Sequence, residues 1–289
     1  MITTENNESC RSPLVSIGMP VYNGEDTIGD ALNSTLAQRF TDFELIISDN
    51  ASTDGTERIC REYASRDPRI RYVRQKKNQG PMANFEIVLN EAVGKYFMWA
   101  AADDVRSRNF IRENFLFLEA NRDYVASVSP VKFEGDDYNE VNMGDFSLDD
   151  NFSDIRLLKF FTKWHANGRY YSLIRRHALL GLSISKRHYL GFDWMVVIHL
   201  LCQGKMKRIQ SGSITLGKCG ESNTTNVFAE YNKQGMVYFI FPFRDLIADI
   251  YRNFPEDVRK QRIRLYLRWF VLSYQALKLN IIFTLRGRS

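Results

Sequence analysis

Short apolar runs alternate with helix-like segments near the start of the chain, and this alternation limits the possible folds more than any other sequence feature. The apolar runs lie at residues 14–19, 43–48, 70–73 and 96–101. Between them, apolar residues recur every three or four positions, as on one face of a helix; Ile28, Leu32 and Leu36 are an example. Strands that alternate with helices form a mainly parallel sheet with right-handed crossovers. We therefore predict an α/β fold whose mainly parallel central sheet is flanked by helices.

Polar residues follow three of these runs at the point where each predicted strand ends. Asp103 and Asp104 follow the fourth run, Asp49 and Asn50 follow the second, and residues 20–23 follow the first. The carboxyl ends of parallel strands meet at one edge of a sheet, where such sheets bind ligands. Turns are rich in Asp, Asn, Gly and Pro in any case. Because three such loops share one edge, we expect them to line a binding crevice.

The adjacent carboxylates Asp103 and Asp104 allow two interpretations. Like charges in a partly desolvated site repel each other, and at least one pKa rises unless a cation neutralises them. Mg²⁺ and Mn²⁺ prefer oxygen ligands and bind substrate phosphates through one or two protein carboxylates. The pair is therefore either half of a metal–diphosphate site or a cap for the following helix, predicted near residues 108–117.

Several other functional classes lack support in the sequence. The segment PVYNGEDTI follows the first strand, and it contains neither GxxxxGK[ST] nor GxGxxG, which argues against P-loop kinases and dinucleotide oxidoreductases. The four cysteines form no CxxC pair, which argues against a zinc site and a disulfide framework. No zinc-finger spacing or aromatic-rich RNA-binding signature is present, so we expect no nucleic-acid partner.

Charge is unevenly distributed, although the net charge is only +5. Residues 134–154 contain eight acidic residues and no lysine or arginine, which is typical of a solvated loop. Residues 252–289 are strongly basic and predict contact with an anionic surface, with membrane lipid ranked above nucleic acid. Within them, Arg268 and Lys278 interrupt the apolar segment 263–283 and disfavour a transmembrane helix. That segment is either an interfacial helix or a helix packed on the domain or in a homodimer.

The second half of the chain shows a looser pattern and no domain boundary. Helices are predicted at 110–120, 155–164 and 193–203, and strands at 126–133 and 207–216. Residues 1–13 are polar and lack the pattern of a signal peptide, which predicts an N-terminal tail and a cytoplasmic protein.

Four motifs follow one another along the chain: VSIGMPVYNGEDTIGDALNSTLAQ, FELIISDNASTDGT, NQGPMANFEIVLNEAVGKYFMWAAADD and GFDWMVVIHLLCQG. Together they resemble a family 2 glycosyltransferase with a GT-A fold, of the kind that builds bacterial surface polysaccharides. The resemblance implies a Rossmann-like catalytic domain at 14–225, with a nucleotide-binding half at 14–105 and an acceptor half at 106–225. A basic helical extension would follow at 226–289, and the protein would lie on the cytoplasmic face of the inner membrane.

The resemblance also implies ligands and residue roles. The donor is a nucleoside diphosphate sugar, with UDP expected and dTDP or GDP open, the acceptor is a saccharide or a lipid-linked saccharide, and the cofactor is Mn²⁺ or Mg²⁺. Asp103 matches the metal-binding aspartate, Asp49 the aspartate that bonds a base edge, and Asp193 the general base. The other nucleotide-pocket candidates are Pro20, Tyr22, Asn23, Glu25, Asn78, Gly80 and Asp104. Further candidates are Lys218 for the diphosphate and Arg175, Arg176 and Trp194 for the acceptor.

Two residues depart from the family pattern and keep alternatives open. Ala101 replaces the first aspartate of the DxD motif, and Asn50 replaces the second acidic residue after strand two. A catalytically silent, nucleotide-binding scaffold subunit of a membrane-associated biosynthetic complex is therefore a second hypothesis. Asp193 has its own alternative, as the N-cap of the helix that follows it. If it is the base, it takes the proton of an acceptor hydroxyl that attacks from the face opposite the leaving diphosphate, which inverts the anomeric centre.

Overall fold

The computed structural model describes residues 12–162, 165–186, 190–217, 235–241, 243–253, 273–275, 277–278 and 281. Ten strands lie within these ranges: β1 (Val15–Val21), β2 (Phe43–Asp49), β3 (Ile70–Arg74), β4 (Tyr96–Trp99), β5 (Val105–Arg106), β6 (Tyr124–Val128), β7 (Val131–Phe133), β8 (Leu173–Arg175), β9 (Lys205–Arg208) and β10 (Ile214–Leu216). Seven of them form the central sheet, in the order β3-β2-β1-β4-β8-β6-β9. Only β8 runs antiparallel to its neighbours in that sheet, so the predicted mainly parallel α/β fold is confirmed.

Helices cover both faces of the sheet. The described helices are α1 (Ile28–Leu36), α2 (Thr56–Arg66), α3 (Pro81–Asn90), α4 (Phe110–Ala120), α5 (Glu140–Met143), α6 (Ser153–Phe160), α7 (Phe192–Gln203), α8 (Met236–Ile240) and α9 (Arg244–Asn253). Two 3₁₀ turns, Gly168–Tyr171 and Arg176–Leu179, flank β8. Helix α1 buries Ile28 and Leu32 of its predicted apolar stripe.

The core has two layers because successive side chains of a strand point to opposite faces. On β4, Tyr96 and Met98 belong to the layer that also contains residues of α1 and α4, whereas Phe97 and Trp99 belong to the layer with α3, α6 and α7. At Gly18 of β1 a β-carbon would lie 2.6 Å from Cγ2 of Val88, so only glycine allows α3 to pack this closely on the sheet.

Two strands that were each predicted as continuous are divided between two sheets. The predicted strand 126–133 covers most of β6 and all of β7, which are separated at Pro130, a residue without an N–H to donate. The predicted strand 207–216 contains β9 and β10, and between them Gly212 has a φ of 77°. Strands β7 and β10 leave the central sheet and join β5 in a three-stranded sheet of order β5-β10-β7.

The described part of the predicted 226–289 extension is helical. Helix α9 packs on the α/β domain, since Leu246, Ile250 and the preceding Phe243 are buried in the core layer that contains α7. Segment 263–283 and the predicted 1–13 tail fall almost entirely outside the described residues. Within the described ranges, no helix has the length and apolar character needed to span a bilayer.

Candidate active site

The loops after β1 and β2 are tied together by hydrogen bonds. Asn23, with a φ of 51°, donates its backbone N–H to Oγ of Ser52 at 2.9 Å, and its Oδ1 accepts from the N–H of Thr53 at 2.8 Å. Oε2 of Glu25 accepts from the N–H of Gly55 at 2.6 Å. Two of the predicted nucleotide-pocket residues therefore shape the rim of the crevice.

Asp49 lies beneath this rim with no exposed surface. Its Oδ1 accepts from the N–H of Ser52 at 2.8 Å, and its Oδ2 accepts from the hydroxyl of Tyr72 at 2.7 Å. Nε of Arg74 is 3.6 Å from the same Oδ2. The contacts seen here make Asp49 an organiser of the crevice floor, and its bond to a base edge stays a prediction.

Asn50, one of the two departures from the family pattern, connects the end of β2 to the loop before α3. Its Nδ2 donates to Oδ1 of Asn78 at 2.9 Å and to the carbonyl of Gly80 at 3.2 Å, and its Oδ1 accepts from the N–H of Gln79 at 2.9 Å. Asn50 and the loop at Asn78 form a platform beside the strand that contains Pro20. Near this platform Tyr22 is 47% exposed. An amide at position 50 therefore donates two loop bonds that a carboxylate, which cannot donate, would not make, while the third bond is accepted and would be open to a carboxylate as well.

Asn84 is a positioning residue that the sequence analysis missed. It lies on α3, is 2% exposed, and accepts from the hydroxyl of Ser48 at 2.6 Å. Its amide donates to the carbonyls of Ser48 at 2.9 Å and Val21 at 3.3 Å, so it fixes the ends of β1 and β2 to each other. The available signal was one polar residue on the otherwise apolar buried face of a helix.

Asp104 forms a buried ion pair with Arg106, which the sequence analysis also missed. Nη2 of Arg106 is 3.5 Å from Oδ2 of Asp104 and donates to the carbonyl of Trp99 at 3.1 Å. Burial raises the pKa of Asp104 to about 7; the charge of Arg106 opposes this shift and that of Asp103 adds to it. Asp104 is therefore held inside the protein, and Asp103 is the more exposed member of the acidic pair.

Asp103 lies against the end of β10. A β-carbon on Gly217 would be 2.5 Å from Oδ2 of Asp103, so the chain passes this carboxylate more closely than any other residue type would allow. The alternative role as a helix cap is wrong, because α4 begins at Phe110 and its N-cap is Asn109. Lys218, the predicted diphosphate contact, lies outside the described residues.

The acidic pair fits a hard divalent cation. The partly exposed carboxylate of Asp103 supplies oxygen ligands, and the buried Oδ2 of Asp104 accepts no hydrogen bond. Within the described ranges, no three His, Cys, Asp or Glu side chains form a closed metal cluster. This arrangement matches Mg²⁺ or Mn²⁺, which take one or two protein carboxylates and complete their coordination with water and substrate phosphates.

Asp193 approaches the crevice from the other half of the domain. The N-cap of α7 is Gly191, with a φ of 87°, so the predicted N-cap role of Asp193 is wrong and the residue lies in the first turn. Its Oδ2 accepts from Nδ2 of Asn167 at 3.0 Å. Burial raises the pKa of Asp193, while the bonds from Asn167 and from the N–H of Trp194 oppose that shift.

Tyr171 connects the two halves of the site. Its ring packs against both layers of the core. Burial raises the pKa of its phenol well above the usual value, and the carboxylates of Asp103, Asp104 and Asp193 all add to this effect. One neutral phenol therefore lies within electrostatic range of the acidic pair and of Asp193, which supports one crevice for the predicted metal ligand and the predicted base.

Arg175 and Arg176 do not reach this crevice, which corrects their predicted role at the acceptor. Nη1 of Arg175 donates to the hydroxyl of Tyr96 at 2.8 Å, and Nε of Arg176 donates to the carbonyl of Gly94 at 2.6 Å. Tyr96 begins β4, so both arginines lie at the amino edge of the sheet, opposite the edge where Asp103 follows the strand.

Trp194 is also unsuited to its predicted contact with the acceptor. Only 5% of it is exposed, and its indole is stacked between the ring of His165, at 4.7 Å, and that of Phe243, at 5.6 Å. The residue therefore supports the start of α7 from inside the core.

Comparisons with known proteins match this chain to one family model and to curated relatives. The family model described as Glycosyl transferase family 2 matches residues 16–181. The chain is 25% identical to the minor teichoic acid biosynthesis protein GgaB of Bacillus subtilis (strain 168) over 263 residues, which are 89% of this chain and 28% of GgaB. It spans less than half the length of the first curated relatives that it matches.

Two solved structures resemble the whole domain. The crystal structure of S. aureus TarS 1-349 in complex with UDP-GlcNAc matches with a TM-score of 0.67 and 17% identity, over 89% of this chain and 72% of that one. The mannosyltransferase PcManGT from Pyrobaculum calidifontis, in complex with GDP-Man and Mn²⁺, matches with a TM-score of 0.57 and 16% identity, over 96% of this chain and 80% of that one. At these identities the likeness concerns the fold alone, and it confirms the predicted GT-A fold.

Proposed function

This chain belongs to glycosyl transferase family 2, and on that basis we propose that it is an inverting glycosyltransferase that moves a sugar from a nucleoside diphosphate donor to a saccharide or lipid-linked acceptor. The observation that carries this proposal is the phenol of Tyr171, which lies within electrostatic range of both Asp103 and Asp193. A metal-binding carboxylate and a second carboxylate with a raised pKa are the two groups that such a transfer needs.

The two carboxylates have separate tasks in this mechanism. A divalent cation at Asp103 would stabilise the negative charge that develops on the departing nucleoside diphosphate. Asp193 accepts the proton of the acceptor hydroxyl as that oxygen attacks the anomeric carbon. Its raised pKa makes it a stronger base than an exposed aspartate, and the bond from Asn167 favours the ionised form that the reaction requires.

The donor is proposed to be a UDP-sugar bound over the platform of Tyr22, Asn50 and Asn78. TarS, which shares the fold, is described in complex with UDP-GlcNAc, and PcManGT with GDP-Man and Mn²⁺. Asp49 acts from below, because it holds Tyr72 and the loop at Ser52 in place. GgaB is named for teichoic acid biosynthesis, which supports an acceptor among bacterial surface polymers.

Nucleotide binding tests this proposal directly. We expect calorimetric titration to find that one of UDP, dTDP and GDP binds more tightly with Mn²⁺ than without it. Asp103→Asn should lose at least about tenfold in the affinity measured with metal, because a neutral amide is a poor ligand for a hard cation. The matched control is Asp123→Asn, a surface change at the amino end of β6, which should leave binding unchanged. Absence of binding by all three nucleotides would contradict the proposal.

Peripheral membrane contact is a further part of the proposal. Helix α8 and the residue after it present exposed apolar side chains, including Met236 at 78% and Phe241 at 49% exposure, and the sequence after residue 251 is strongly basic. Apolar residues beside basic ones are typical of segments that bind the surface of anionic bilayers.

Sedimentation with anionic liposomes at low salt checks this contact. The double variant Met236→Ser/Phe241→Ser should partition about tenfold less than the wild type, because each lost apolar side chain removes burial energy. Phe152→Ser is the control, since Phe152 is 71% exposed at the start of α6. Equal sedimentation of the double variant and the wild type would show that α8 does not contact lipid.

A further inference from the structure

Asn167 has a backbone conformation that a residue with a β-carbon rarely adopts. Its φ is 36° and its ψ is 47°, and it is one of three non-glycine residues with positive φ in the described part of the chain. It is only 2% exposed. Asparagine tolerates the left-handed region better than most residues, but this conformation still costs energy. Surrounding contacts therefore hold it in place.

Those contacts come from a neutral histidine two residues earlier. The backbone N–H of Asn167 donates to Nδ1 of His165 at 3.2 Å, and Nε2 of His165 is 3.3 Å from the carbonyl of Phe160. Burial and the charge of Arg169 lower the pKa of His165 to about 3, so the ring is uncharged. A ring that accepts at Nδ1 carries its proton on Nε2, which donates to Phe160.

The same histidine also supports the residue next to the proposed base. Its ring is stacked on that of Trp194, with centroids 4.7 Å apart and planes 16° from parallel. His165 therefore acts on Asp193 along two routes. One route passes through Asn167, whose Nδ2 is 3.0 Å from Oδ2 of Asp193, and the other passes through the backbone at Trp194.

We propose that Asn167 is a positioning residue for the transfer reaction: its amide holds the carboxylate of Asp193 in the orientation that accepts the acceptor proton, and His165 keeps the amide in place. This inference rests on the proposed function. A carboxylate has about four lone-pair sites on its two oxygens, so one bond to an amide leaves capacity for the acceptor hydroxyl. The amide donates and neither gains nor loses a proton near neutral pH, so it orients the base without competing for the acceptor proton.

The ionisation of Asp193 can be followed because the phenols that face it do not titrate near neutral pH. The titratable groups that face it from the 3₁₀ turn are the phenols of Tyr170 and Tyr171, and burial raises the pKa of both, so they stay neutral near pH 7. Beyond Tyr171 lie the acidic pair and Arg106. Removal of the amide donor should raise the pKa of Asp193, because the bond from Asn167 favours the charged carboxylate.

Two variants test the proposal. Asn167→Gly removes the amide while allowing the positive φ, and Asn167→Asp keeps the shape but replaces the donor with a negative charge. In each variant, kcat should fall about tenfold or more, while the KM for the donor should stay constant. In a plot of kcat against pH, the acid limb should move to higher pH by about one unit. The shift should be larger for Asn167→Asp, because a neighbouring negative charge raises the pKa further.

Carbon-detected NMR titration of aspartate carboxylates, with the Asp193 signal assigned from Asp193→Asn, supplies a readout that needs no transfer assay. Ser172→Ala is the control: it removes a buried 2.7 Å bond to the carbonyl of Arg169 in the same turn and should leave the Asp193 titration unchanged. An unshifted Asp193 pKa in folded Asn167→Gly overturns the inference, whatever the transfer assay shows. A wild type that binds nucleotide but transfers no sugar overturns the proposed function instead.

Discussion

Replacement of Asp193 by asparagine is expected to lower kcat about 10²–10⁴-fold, the usual contribution of a general base. Asparagine has nearly the same shape, and its Oδ1 can still accept from the N–H of Trp194. It cannot take a proton from the acceptor. Nucleotide affinity should be unchanged, because the donor platform lies on the other half of the domain. Steady-state kinetics and calorimetry on the same preparation measure both quantities.

A matched control separates catalysis from stabilisation of the first helical turn by an acidic residue. Asp154 occupies the same position in the first turn of α6 as Asp193 does in α7, and its Oδ1 accepts from the next N–H at 2.9 Å. Asp154→Asn should therefore lose a similar small amount of stability, about 0.5 kcal/mol, and keep full activity. If Asp193→Asn keeps full activity as well, Asp193 is a helix residue and the proposed mechanism is wrong.

The first half of the fold could be predicted from the sequence because its central strands are buried on both faces. Such strands appear as continuous apolar runs, and the predicted runs at 14–19 and 43–48 coincide closely with β1 and β2. Strands β6 and β7, and likewise β9 and β10, were each predicted as one strand. At those places the chain passes from one sheet to another, and the local signals are Pro130 in the first case and the polar run 210–213 around Gly212 in the second.

The candidate site was predictable in part. Asp103 and Asp193 became candidates because each lies within a recognisable motif. Asn84 and Asn167 were not found, since a single asparagine has meaning only through a partner distant in sequence, such as Val21 for Asn84. The acceptor role predicted for Arg175 and Arg176 has the opposite problem. Two adjacent cations suggest an anion site, yet in the structure their guanidinium groups bond to the protein's own oxygen atoms.

Substitution of Asp104 or Arg106 should destabilise the protein more than other substitutions at the crevice. Both side chains are almost completely buried, at 2% and 0% exposure. Removal of one partner leaves an uncompensated buried charge, which typically costs 3–5 kcal/mol. Asp104→Leu should therefore lower the free energy of unfolding by about that amount, since Arg106 cannot readily release its proton. Arg106→Met should cost less, because Asp104, whose pKa is already raised to about 7, can become neutral by binding a proton.

The double variant Asp104→Leu/Arg106→Met separates this effect from lost packing. It leaves no buried charge, so chemical denaturation should find it more stable than Asp104→Leu alone. Arg66→Met, which breaks an exposed pair with Glu62, is the control and should cost about 0.5 kcal/mol or less. Additive losses in the double variant would mean that the two side chains contribute independently. The acidic pair would then owe its arrangement to the backbone at Gly217, and Arg106 would have no part in holding Asp104 beneath the metal-binding carboxylate.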